Sequence, residues 1–99
     1  MSAEERVVVG RKTPRDGKLE VSAGLARALG GHGTEVLIRG AGSEERGVVS
    51  VLPCTCEKAG ASGKHEHHFV QCDAFRQLEV GSDLQLRAEG GELEVLAGP

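Results

Sequence analysis

Apolar residues in this chain come in short runs with a period near two, separated by glycine-rich polar stretches, the pattern of short strands joined by tight turns. Arg6-Val7-Val8-Val9-Gly10 has the β-branched composition of a strand, and the segment 11–17, which contains Pro14, follows as a polar turn. Lys18-Leu19-Glu20-Val21 alternates and predicts a second short strand. Ser22 is placed to cap the one helix, residues 23–29, whose Leu25, Ala28 and Leu29 share a face at the i, i+3, i+4 spacing. Gly30-Gly31 ends it. Further strands are predicted over 34–39, 48–52, 68–72, 83–87 and 92–96, with a short turn or helix over 74–78 and a small, polar loop over 58–64.

Two stretches of this pattern match. Gly33-Thr34-Glu35-Val36-Leu37-Ile38-Arg39 lines up with Gly81-Ser82-Asp83-Leu84-Gln85-Leu86-Arg87, and Gly47-Val48-Val49-Ser50-Val51-Leu52 with Gly91-Glu92-Leu93-Glu94-Val95-Leu96. Each half can bury its apolar face only against the other, so the expectation is an all-β fold with one short helix: a small pseudo-twofold β-barrel. It forms a single domain over 1–99, with halves at about 6–52 and 68–97 joined by a Cys/His connection, 53–67.

Composition limits what this barrel can contain. Hydrophobic residues make up 38% of the chain, but Phe69 and Phe75 are the only aromatics, so the core must be built from Val, Leu and Ala and would gain from a crosslink. No apolar stretch is long enough to span a bilayer, and the N-terminus opens acidic, without a secretion-signal pattern. The expectation is a cytoplasmic protein with no membrane partner, in which three cysteines serve as thiols or metal ligands. Charge is unevenly spread along the sequence. Between Arg6 and Lys18 the cations Arg6, Arg11, Lys12, Arg15 and Lys18 meet only Asp16, whereas beyond Cys72 acids outnumber bases.

The stretch Gly17-Lys18-Leu19-Glu20-Val21-Ser22-Ala23-Gly24-Leu25-Ala26-Arg27-Ala28-Leu29-Gly30, followed by Gly33-Thr34-Glu35-Val36, resembles the strand, helix and Gly-Asp turn of AbrB-like looped-hairpin DNA-binding proteins. The two Gly-hydroxyl-acid turns are similar to those of the wider cradle-loop and pseudobarrel group. Ser22 stands where that family has proline, and the acid comes one residue late, at Glu35 and Asp83. The resemblance implies a pseudobarrel fold and a role in transcription regulation through duplex DNA.

All three cysteines and three of the four histidines fall within residues 54–72. Zinc takes four N or S donors in a tetrahedron, and Cys54 and Cys56 can converge on one ion if the chain bends between them. Cys72 and one histidine would complete the set. On an extended segment His68 shares a face with Cys72, whereas His67 points with Phe69, so the expected tetrad is Cys54, Cys56, His68 and Cys72, with His65 and His67 as alternates. Such a closed site is structural and would contribute folding energy. The competing reading is buried cysteines beside a solvated His-rich loop.

Arg11, Lys12, Arg15 and Lys18 form the candidate nucleic-acid contact, against the alternative of a solvated turn. No phosphate-binding glycine loop, nucleophile elbow or catalytic triad is present. The expected function is a non-enzymatic, zinc-stabilised module that binds duplex DNA. The alternative is an interaction or assembly subunit that uses its acidic C-terminal face on a protein partner or in a homodimer. A metal-dependent enzyme with Glu57 or Glu66 as acid or base ranks third.

Overall fold

A computed structural model describes residues 2–40, 44–53 and 66–97 of the chain. The strands are β1 (Ser2–Val8), β2 (Lys18–Val21), β3 (Glu35–Arg39), β4 (Glu45–Pro53), β5 (Glu66–Gln71), β6 (Asp83–Glu89) and β7 (Glu92–Ala97). Two helices, α1 (Lys12–Asp16) and α2 (Ala23–Ala28), and a 3₁₀ helix, Asp73–Gln77, lie among them. Ser22 caps α2 as expected, its hydroxyl accepting from the Leu25 N–H at 3.1 Å. The polar turn expected over 11–17 instead winds into α1, where Gly17 ends the turn at φ 70°.

All seven strands form one sheet in the order β1-β6-β7-β3-β4-β5-β2, curled into a nearly closed barrel. Val9, Leu19, Val49, Val70, Ile38, Leu86 and Leu93 are buried inside it, with Leu25 of α2, Leu29 at its C-cap and Phe75 of the 3₁₀ helix. The core cluster is therefore aliphatic apart from the ring of Phe75.

The twofold relation is present, but it pairs different strands from those implied by the hairpin match of 47–52 with 91–96. The match of 33–39 with 81–87 holds in detail: Val36 and Ile38 are buried in β3 where Leu84 and Leu86 are buried in β6. Gly33 and Gly81 both turn with positive φ, 84° and 90°. Gly33 N–H donates to the Val49 carbonyl and Val49 N–H to that of Thr34, while Gly81 N–H donates to Val9 and Val9 N–H to Ser82. So Val9, at the end of β1, is the equivalent of Val49 in β4, and the equivalence continues residue by residue. Glu5 lies opposite Leu86 in one ladder and Glu45 opposite Ile38 in the other. Arg87 bonds Glu4 at 3.4 Å just as Arg39 bonds Glu44 at 3.3 Å.

The repeating unit is thus strand, connection, strand, helical turn, strand: β1, β2, α2, β3 and then β4, β5, the 3₁₀ helix, β6. β7 stands outside the repeat and fills the gap between β6 and β3, antiparallel to the first and parallel to the second.

Candidate functional site

The same symmetry locates an opening in the barrel wall, as traced by the described residues. In the second half β4 pairs with β5 along its length, from Val48 opposite Gln71 to Pro53 opposite Glu66. The equivalent strands of the first half, β1 and β2, share no ladder among the described residues and form the two edges of the sheet. A cleft of about 400 Å³ lies in this unzipped seam, lined by Val8 and Gly10 at the end of β1, Arg11, Lys12 and Thr13, and Lys18, Leu19 and Glu20 of β2.

The segment from β1 to β2 is held in a fixed shape. Thr13, a buried polar residue, donates its hydroxyl to the Lys18 carbonyl at 2.7 Å, and its own carbonyl accepts from the Gly17 N–H at 2.8 Å. This fastens α1 to the start of β2 and brings Arg11 and Lys12 to the same cleft as Lys18.

Phe69 is the floor of the cleft. On β5, Val70 faces the core opposite Leu19 and Val49, so Phe69, opposite Glu20 and Ser50, belongs to the outer face. An aromatic ring on that face would ordinarily be exposed, yet Phe69 keeps only 5% of its surface. Two ammonium groups stand against it, with Lys12 Nζ at 5.7 Å and Lys18 Nζ at 5.8 Å from the ring centroid. Each is within the range of a cation–π attraction, about 0.5–1 kcal/mol near the surface. Glu20 is the acid in the lining, and its carboxylate lies 2.7 Å from His67 Nδ1. The His67 ring is in turn 6.2 Å from that of Phe69.

Of the four cations expected to act together, the structure gathers three. Arg15 is directed elsewhere: its guanidinium donates to Asp16 at 2.9 and 3.1 Å, and its carbonyl accepts from Arg76 at 3.0 Å. The hydrogen bond from Arg15 holds the Asp16 carboxyl below its usual range, so this pair presents little net charge to a ligand. Phe69, Thr13 and Glu20 were not among the expected site residues. Phe69 and Val70 are adjacent apolar residues, and alternation cannot decide which of two such neighbours faces outward.

Of the expected zinc ligands, Cys54, Cys56 and the alternate His65 lie outside the described residues. His68 is half-buried opposite Val21 and Val51, on the inner face, and His67 lies on the outer one. Cys72 is buried in the core cluster, with its thiol 3.6 Å from Glu45 Oε2. Burial pushes that thiol's pKa up, and the neighbouring Glu45 adds to the effect. Four steps of nearly extended chain set the backbones of His68 and Cys72 about 13 Å apart, so the structure does not bring these two together. Among the described residues, no three His, Cys, Asp or Glu side chains converge on a possible metal site.

Cys72 has a structural counterpart instead. It precedes the 3₁₀ helix as Ser22 precedes α2, and each meets the acid of its matching strand: Ser22 N–H and hydroxyl bond Glu5, while the Cys72 thiol bonds Glu45. The exposed ring of His32 accepts from the Val51 N–H at 2.9 Å and so fastens the turn after α2 to β4.

No helix is long and apolar enough to cross a membrane among the described residues. Searches of protein-family models, curated proteins and solved structures find no significant match to this chain.

Proposed function

We propose that the protein is a non-enzymatic binding module that engages the phosphate backbone of duplex DNA through the seam between β1 and β2. The observation that carries this reading is the gathering of Arg11, Lys12 and Lys18, from two separate elements, around one cleft in which Glu20 is the one opposing charge. Cations carried on a backbone held in a fixed shape contact phosphates at less entropic cost than cations on a free turn. Such contacts release counterions, so affinity should fall steeply with salt. Charge reversal at Arg11, Lys12 or Lys18 is expected to weaken duplex binding about tenfold or more at low salt, and reversal of Arg15 much less, because Asp16 already neutralises it. Anisotropy titrations of a labelled duplex would measure this. Equal loss from all four substitutions, or no salt dependence, would refute the reading.

The edges of β1 and β2 favour a second reading, a protein-interaction subunit that completes the barrel with a partner strand. Self-association or stable co-purification with a partner, together with indifference to salt, would favour it over DNA.

We also propose a structural zinc ion as a clip on the connection 54–65. What supports it is the concentration of Cys54, Cys56, His65 and His67 in or beside a segment whose two ends start together, where Pro53 pairs with Glu66. The core position of Cys72 favours a set without it. Elemental analysis should find about one zinc per chain, retained in Cys72→Ser, and chelation should lower the melting temperature. Metal-free protein of equal heat resistance would remove zinc from the account.

A further inference from the structure

We infer that Lys12 and Lys18 hold a single phosphate group between them, with Phe69 as the platform that positions both; the duplex form of this inference rests on the binding mode proposed above. Both ammonium groups lie within 6 Å of one ring centroid, although they come from different elements. Two like charges drawn to one ring repel one another, and the ring's quadrupole offsets only part of that repulsion. A dianionic or bridging phosphate at the cleft mouth would satisfy both at once. Lysine is suited to this task as a compact point charge with three donors.

The surroundings fit such a ligand. Arg11 and Gly10 line the cleft on one side, and Thr13 is tied inward to the Lys18 carbonyl. Glu20 is the opposing charge in the lining, and its carboxylate is engaged by His67. Phe69 is a positioning residue: its nearly buried ring at the cleft floor offers no charge or hydrogen bond to a phosphate and acts through the two lysines it holds. The chemistry fits either a backbone phosphate of duplex DNA or the phosphate of a small free compound.

The test has two arms, both on the full chain. In the first, inorganic phosphate is titrated at constant ionic strength while NMR follows the Phe69 ring protons and the Cε methylenes of Lys12 and Lys18. Those methylenes should resonate upfield from the ring current and shift saturably with phosphate. The Lys12→Met, Lys18→Met double variant should lose the response. Phe69→Leu should lose the upfield shift and bind phosphate about two- to fivefold more weakly. In the second arm, the salt slope of duplex affinity is compared between wild type and the double variant. A shared phosphate lowers the slope by about 0.9, and two separate phosphates by about 1.8.

Saturable phosphate binding without duplex binding supports the clamp, assigns it to small phosphorylated compounds and sinks the DNA reading. Duplex binding with a slope change near 1.8, or a phosphate titration without saturable shifts at Phe69, overturns the clamp while leaving DNA binding intact. If neither probe binds, both proposals fall.

Discussion

Cys72 shows how a residue that suggests metal chemistry can be accounted for by its place in a repeat. Ser22 and Cys72 stand at matching corners, each entering a helical turn and each reaching the acid of a matching strand, Glu5 or Glu45. The first corner is exposed and uses a hydroxyl. The second is buried, with 4% of the residue's surface accessible, and uses a thiol, which behaves as a small hydrophobe with a weak donor. Because the folded thiol's pKa is raised, the unfolded chain gives up that proton first as pH climbs. The stability tied to Cys72 is therefore intact below the ordinary thiol range, about pH 8.5, and is lost as pH rises through the higher folded value. Cys72→Ala should cost about 1–2 kcal/mol near neutrality, or roughly 5–10 °C of melting temperature. That gap should narrow when melts at pH 7 are compared with melts at pH 10; a gap independent of pH would show that the thiol does not titrate as argued. The sequence made Cys72 conspicuous but not its burial, because a six-residue strand ending at Gln71 gives no sign of which flanking side chain enters the core.

At the level of elements, the two halves differ where the seam is closed in one and open in the other. β5 lies against β4 along its whole length, and its end crosses close over Gly47. A Cβ at Gly47 would stand 2.6 Å from the Gln71 carbonyl oxygen, which is backbone and cannot swing aside, and would also run into Ile38 Cδ1. The matching residue of β1 is Val7, which has room for its side chain because β2 does not pair there. Gly47→Val is therefore expected to destabilise the protein by about 2 kcal/mol or more, read as a shift in the urea midpoint, although it makes the two halves more alike. A neutral effect would mean that β5 can slide away from β4 at little cost. Strand positions were legible from alternation, and both Gly-hydroxyl-acid turns are true equivalents. The match of Gly47–Leu52 with Gly91–Leu96 misled because any two amphipathic strands after a glycine share that pattern. The informative repeat was the less regular Glu4-Glu5-Arg6 against Glu44-Glu45-Arg46, whose charges recur because each glutamate has the same structural task. The cleft was legible only as a run of cations, since which of them point together depends on the turn of α1 and the hydroxyl of Thr13.

Across the whole molecule, half of the described ladders, β1–β6, β2–β5 and β3–β4, tie one half to the other, and β7 bridges β6 and β3. β1 finds its ladder partner in β6 and β2 in β5, and β3 is flanked by β4 and by β7; among the described residues, no two strands of the first half pair with each other. Among the described residues, the pair β4–β5 is the only ladder made within a half. Neither half can bury its apolar face or satisfy its strand edges without the other, so the long connections that bring β1 to β6 and β2 to β5 must close before the sheet is complete. Such an arrangement predicts one cooperative unfolding transition despite the internal repeat, and folding slow for a chain of this length because most contacts are distant in sequence. Urea curves followed by far-ultraviolet circular dichroism and by the NMR resonances of Phe75 and Phe69 should coincide, with a slope of roughly 1 kcal/mol/M. Earlier loss of the Phe69 signal alone would mark the seam as a separately opening unit. In that case the cations at its mouth would be gathered only part of the time, and the apparent affinity for phosphate would fall in proportion to the open fraction.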